Sequence, residues 1–369
     1  MSHDPGLASW LQLSLTPGLG PATLRKLLQQ FGLPQAVLAR KRSELSALAP
    51  AAALAALDSE PVANAVARAI AWAAEPGHAV ITLADESYPR LLLEIADPPP
   101  LLYARGRAEL LQRSALAMVG SRNATQQGTA NAEAFARTLS EAGLTIVSGL
   151  ALGIDAAAHR GGLQGVGSTI AVLGTGIDVI YPQRNAALAA EIAARGLIVS
   201  EFALGSAPTA QNFPRRNRLI SGLSRGCLVV EAAVASGSLI TARAAADQGR
   251  DVFAVPGSIH SPLAKGCHVL IKSGAKLVES AEDVLTELSG FRPSGFASTR
   301  EPSRAASAQA ESGLLAHMGH DPVDVDSLCS RAGLSAEQVS SELLRLELDG
   351  RVAALPGGLY QRLEKEGRR

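Results

Sequence analysis

From residue 78 to 290, short runs of Val, Ile, Leu and Ala alternate with stretches of helical spacing, and several runs are apolar at every position. A strand that is apolar on both sides must be covered on both faces, and strands separated by helices pair in parallel. The pattern therefore predicts a doubly wound α/β sheet. The expected strands are Ala79–Thr82, Leu116–Val119, Leu144–Val147, Thr169–Leu173, Leu197–Val199, Cys227–Val230, Val252–Val255 and Lys276–Val278.

The flanks read differently. Residues 1–76 are short Leu- and Ala-rich helices ended by Pro76-Gly77, and 77–290 is the sheet domain. Residues 291–311 are Ser, Ala, Pro and Arg without periodicity, as in a flexible linker. In 312–369, helical segments near Gly313–Met318, Val325–Ala332 and Ser335–Asp349 precede two strands, Val352–Leu355 and Leu359–Gln361, joined by Pro356-Gly357-Gly358. That is either a winged helix or a plain helical appendage.

Composition narrows the class. The chain has 369 residues, 47% hydrophobic but only 4% aromatic, so the core is aliphatic. No apolar run approaches the roughly 20 residues of a membrane span, and no basic segment leads an apolar one at the N-terminus. Cys227, Cys267 and Cys329 are scattered, which supports neither a disulfide framework nor a metal site. A cytoplasmic protein is expected. Net charge is zero, yet from Gly205 to Lys276 nine Lys/Arg face three acids, a surplus of six. A local basic face is expected there.

Six motifs carry candidate chemistry. Gly120-Ser121-Arg122 leaves an apolar run and precedes a helix, so its N–H groups and arginine suit a phosphate; an ordinary strand–helix turn is the alternative. Ser148-Gly149-Leu150-Ala151-Leu152-Gly153-Ile154-Asp155, with His159 one turn on, reads as a capped helix with a locally bonded histidine before it reads as a catalytic pair. Gly174-Thr175-Gly176 with Tyr181 offers either close ligand approach and base stacking or a packed crossover. Phe213-Pro214-Arg215-Arg216-Asn217-Arg218 sets three cations at a helix start, against the dipole, so an anion is expected to compensate. Ser236-Gly237-Ser238 and Thr241 form another phosphate-sized turn, with Glu231 preceding it either as an arginine partner or as a base. Thr16-Pro17-Gly18-Leu19-Gly20 between two helices reads as a helix–hairpin–helix or a protein-contact module. Walker, H-E-x-x-H and G-x-S-x-G motifs are missing from the sequence.

In order and spacing, Gly120-Ser121-Arg122, Ser148 through Asp155, Gly174 through Asn185, Phe213 through Ile220, and Ser236 through Val255-Pro256-Gly257 resemble the DNA-processing protein A (DprA/Smf) family. The resemblance implies a Rossmann-like core, usually homodimeric, flanked by an N-terminal helical and a C-terminal winged-helix-like domain. It implies binding of single-stranded DNA without strong sequence preference and loading of the recombinase RecA during natural transformation. It implies no catalysis, cofactor or metal. The family's DNA-contacting arginine carries over to Arg122, with Arg216, Arg218 and Lys265 as further basic contacts. One departure concerns the C-terminal segment, where Glu337, Glu342, Glu347 and Asp349 offset Arg345 and Arg351.

Overall fold

A computed structural model describes residues 5–288, 313–319 and 322–363. They fall into two compact units. The first holds a nine-stranded sheet in the order β1-β2-β6-β5-β4-β3-β7-β8-β9. The strands are β1 His78–Thr82, β2 Leu101–Gly106, β3 Ala115–Val119, β4 Thr145–Ser148, β5 Thr169–Val172, β6 Leu197–Ser200, β7 Gly226–Val229, β8 Asp251–Ala254 and β9 Lys276–Leu277. From β6 through β9 every pairing is parallel.

The all-apolar strands behave as their composition demands. Every residue of β3 to β7 is buried, and alternate residues feed opposite cores. Ala115, Ala117 and Val119 pack with Leu219, Ile220, Leu239 and Ala242 from the helices Asn212–Gly222 and Ser238–Asp247. Leu116 and Met118 pack on the other face with Ala132, Phe135, Ala136 and Leu139 from the helix Gln126–Glu141.

All eight expected strands are present, and a ninth, β2, was not expected. It is antiparallel to both β1 and β6, so one edge of the sheet departs from the doubly wound pattern. Two features hide it in the sequence. Pro98-Pro99-Pro100 marks a loop just before it, and no helix separates it from a parallel partner.

The N-terminal helices Pro5–Leu15, Pro21–Phe31, Pro34–Leu38, Arg42–Leu45, Ala51–Ala56 and Glu60–Ala73 have their own core around Leu13, Leu24, Leu27 and Leu45. They also share one with the sheet, where Leu11 and Ala69 meet Leu101, Tyr103 and Ile198. They therefore belong to the same compact unit as the sheet.

The second unit has helices Leu315–Met318, Val325–Ala332 and Ala336–Leu348 and a sheet ordered β10-β12-β11, with β10 Val323–Asp324, β11 Val352–Leu355 and β12 Leu359–Arg362. Asp324 caps one helix through Ser327 N (2.7 Å), and Ser335 with Gln338 forms a capping box on the next. Gly333, at φ +66°, makes the turn between them. Three helices closed by a three-stranded sheet with a Pro-Gly-Gly wing tip make a winged helix rather than a plain appendage. The two-residue strand β10 is too short to show in the sequence pattern. The expected linker 291–311 lies outside the described residues. Among the described residues, no helix is long and apolar enough to cross a membrane.

Candidate nucleic-acid interface

Topology places the site. The chain leaves β3 toward β4 on one side and returns from β6 to β7 on the other, so the winding direction reverses between β3 and β7. Open α/β sheets bind ligands in the crevice outside the strand carboxyl ends at such a switch point. A cleft of about 910 Å³ opens there. It is lined by the turn after β3 (Gly120, Ser121, Arg122, Asn123), by the turn after β7 (Ser236, Gly237, Ser238, with Thr241), by Tyr181, and by Phe213, Arg216 and Asn217.

Each wall has a local cause. A Cβ on Gly120 would lie 2.6 Å from Ile154 Cγ1 and 2.8 Å from the Glu231 carbonyl oxygen, so only glycine lets the turn close. Ser121 N then donates to Glu231 O (2.7 Å), and Ser121 O accepts from Ile154 N (3.1 Å). Gly153, at φ +73°, brings the next helix up against that turn. After β7, the Ser236 and Ser238 hydroxyls lie 2.6 Å apart, and Ser236 Oγ also accepts from Ser238 N. The helices Asn212–Gly222 and Ser238–Asp247 both begin at the cleft, directing their positive dipole ends toward it.

The cations and rings are ordered around Phe213. Arg122 lies 5.8 Å above its centroid and Arg216 5.9 Å from it, while the Tyr181 ring is tilted 5.7 Å away. Arg122 is exposed, and no ion pair holds it among the described residues. Tyr181 is 47% exposed at the mouth. Arg216 is 4% exposed and forms the floor; its Nη1 donates to Gly149 O (2.8 Å) and to Val172 O. Burial lowers its pKa to about 10, so it keeps its charge at neutral pH.

Asp155 and His159 complete the support beneath the cleft. Asp155 Oδ2 accepts from Gly149 N (3.1 Å) and Ala151 N (3.4 Å). Burial pushes its carboxyl up, against the opposing pull of the Arg216 guanidinium. His159 Nε2 accepts from Leu150 N, so Nδ1 carries the proton and donates to Thr169 Oγ1 (2.7 Å), which donates in turn to Ile146 O. That chain ends on a backbone carbonyl; it positions the turn and leads to no reacting atom. Burial holds the imidazole down at about 3, neutral when folded.

Other expected contacts go elsewhere. Gly174 and Gly176 do not line the cleft: Cβ atoms there would meet Phe213 Cδ1 at 2.8 Å and Ala203 O at 2.6 Å, so these glycines make room for protein rather than ligand. Arg215 and Arg218 turn away to the Glu201 carboxylate, at 3.1 and 2.5 Å, and Arg218 reaches Asp97 at 3.4 Å. The anion expected to balance the arginine cluster is thus largely internal. Glu201, with a side chain 1% exposed, follows β6, where sequence reading found no motif. Lys265 lies in a separate groove with Ile259, His268 and Lys272. A Cβ on Gly128 would sit 2.5 Å from Glu231 Oε1, which places that carboxylate against the helix Gln126–Glu141 and not on the cleft wall. The apolar wall residues Pro208, Ala210 and Ile240 were missed; Pro208 and Ala210 are small loop residues, and Ile240 is an isolated exposed apolar residue of a helix, neither of which carries a sequence signal.

The basic window also shrinks. Arg250 pairs with Glu94 and Lys276 with Asp251 and Glu287. Most of these acids lie outside the stretch that defined the surplus.

Fold and cleft together define a class, a Rossmann-like domain with a cleft at its switch point, carried on one chain with a winged helix. Comparisons then specify it. The family profile described as DNA recombination-mediator protein A matches residues 79–289, and the DprA winged helix domain profile matches 298–358. The chain is 44% identical over 307 residues to protein Smf of Escherichia coli, covering 82% of each. It is 50% identical over 206 residues to the DNA processing protein DprA of Streptococcus pneumoniae, covering 56% of this chain and 73% of that one. The X-ray structure of DNA processing protein A from Streptococcus pneumoniae superposes with a TM-score of 0.69 at 38% identity, over 79% of this chain and all of that one. A Helicobacter pylori DNA processing protein A structure, described as revealing its single-stranded DNA binding mode, superposes at 0.51 with 31% identity, over 55% of this chain and 93% of that one. The chain belongs to the DNA recombination-mediator protein A family.

Proposed function

We propose that this chain binds single-stranded DNA along the switch-point cleft, acts as a homodimer, and promotes loading of RecA on that DNA, without catalysis of its own. The observation that carries the reading is the cluster at the cleft mouth, where an exposed Arg122, held by no ion pair among the described residues, and an exposed Tyr181 flank Phe213. A cation for phosphate beside aromatic faces for bases is what sequence-tolerant single-strand binding requires. The positive ends of the helices Asn212–Gly222 and Ser238–Asp247 add to the pull on an anion, and among the described residues the one carboxylate on the lining, Asp155, is buried. Sequence preference should be slight, because phosphate contacts carry no base information. A dimer would present two clefts to one strand and raise avidity. The relative from Helicobacter pylori, a DNA processing protein A with a single-stranded DNA binding mode, supports the same reading.

The test compares a labelled oligo-dT with its duplex counterpart. The reading expects tighter binding to the single strand, weakened about tenfold in Arg122→Ala, and faster RecA filament growth on strands bound by wild type than by the variant. Equal affinity for duplex and single strand, or wild-type binding in Arg122→Ala, would overturn it.

A further inference from the structure

The winged-helix unit presents a face that suits protein better than nucleic acid. In helix Ala336–Leu348, Val339, Leu343 and Leu346 point inward. The opposite side carries Glu337, Ser341, Leu344 and Leu348, one turn apart in succession. Leu344 is 59% and Leu348 81% exposed, and Leu334, just before the helix, is exposed too. Glu347 flanks the stripe. The helix has one arginine, Arg345, and Glu342 and Asp349 hold it at 2.6 and 3.9 Å.

This helix occupies the recognition position of a helix-turn-helix, where DNA readers place Arg, Lys, Asn or Gln against bases. Here the exposed positions are acidic, hydroxylic or apolar. The described part of the unit has Arg331, Arg345, Arg351 and Arg362 against Asp324, Asp326, Glu337, Glu342, Glu347 and Asp349, a net charge of −2. The wing tip Pro356-Gly357-Gly358 adds no cation. A duplex would be repelled, and the leucines would gain nothing from its backbone.

We infer that this face docks a basic amphipathic segment of a protein partner. Leu344 and Leu348 would take its apolar anchors, and Glu337 and Glu347 would face flanking Lys or Arg. A second copy of the chain fits less well, because a self-complementary contact would set these acids against themselves. The inference is independent of the cleft.

The test uses the full chain and a labelled helical peptide with a leucine stripe and a lysine face, beside the same peptide with glutamate for lysine. The lysine peptide binds and the glutamate peptide does not. Leu344→Ser with Leu348→Ser, and separately Glu337→Gln with Glu347→Gln, each weaken binding about tenfold or more, while oligo-dT affinity stays unchanged. The second pair keeps the leucines and guards against a folding defect in the first. Unchanged peptide binding in both pairs, or no binding by wild type, would overturn the inference. So would conversion of a dimer to monomer by the leucine pair in sedimentation, which would assign the face to a second copy. Duplex binding lost in Ser341→Glu would assign it to DNA.

Discussion

Three neighbouring arginines, Arg215, Arg216 and Arg218, have different surroundings although the sequence presents them as one cluster. Arg216 supports the cleft floor through backbone carbonyls, whereas Arg215 and Arg218 neutralise a buried Glu201. Removing one partner of a buried pair leaves an uncompensated charge, at a cost of about 3 kcal/mol or more. Arg218→Ala should therefore lower the urea midpoint markedly while leaving the salt dependence of DNA binding unchanged. A variant of wild-type stability with a reduced salt slope would place Arg218 on DNA instead. His159 makes a pH prediction. Its folded pKa is about 3, against 6.5 for an ordinary histidine. Between those values the unfolded chain binds a proton that the folded chain refuses, so its stabilising contribution is full above about pH 6.5 and lost as pH falls toward 3. Asp155, raised by burial, works in the opposite sense, and its contribution is lost as pH rises through its folded pKa. Urea unfolding at pH 7 and pH 5 should show wild type weaker at pH 5, with a smaller difference in His159→Gln. An equal pH difference in both would remove His159 from the account.

At the scale of elements, the cleft is a set of turns fixed by glycines. Gly153 combines a left-handed φ of +73° with a position where a Cβ would overlap the Ser121 carbonyl and lie 2.8 Å from that of Arg122. Gly153→Ala should cost on the order of 2–4 kcal/mol and distort the Gly120–Arg122 turn. Circular dichroism melts would check the first effect and oligo-dT titration the second; wild-type values in both would refute the packing argument. These turns were legible in the sequence because a strand that ends in Gly and enters a helix has few conformations open to it. The roles of individual glycines were not. Gly174 looked like ligand access and instead seats the Phe213 ring, a contact between residues far apart in the chain. The helix Asn212–Gly222 was legible as basic but not as two-faced. Its cleft face carries Phe213, Arg216 and Asn217 and its other face Arg215 and Arg218, and Glu201, which divides them, comes from the loop after β6. Strand β2 was missed because antiparallel insertion at a sheet edge breaks the strand–helix rhythm on which the reading relied.

For the whole molecule, zero net charge says little about nucleic-acid binding, because the charges are sorted in space. Acids outside the basic window cancel much of it, the winged-helix unit is acidic, and the cleft keeps Arg122 and Arg216 with helix N-termini. The site sits where the winding of the sheet reverses, a position the strand order alone determines. The central claim is that this cleft holds phosphates and bases of a single strand. The measurement that tests it most directly is fluorescence anisotropy of labelled oligo-dT across a salt series, with wild type, Arg122→Ala and Tyr181→Ala. The account predicts a linear fall of log affinity with log salt. Arg122→Ala should flatten that slope by about 0.7, one phosphate contact on a single strand. Tyr181→Ala should weaken binding by about 1–3 kcal/mol at an unchanged slope, as loss of a stacked base does. Wild-type affinity and slope in both variants would contradict it and move the DNA to another surface.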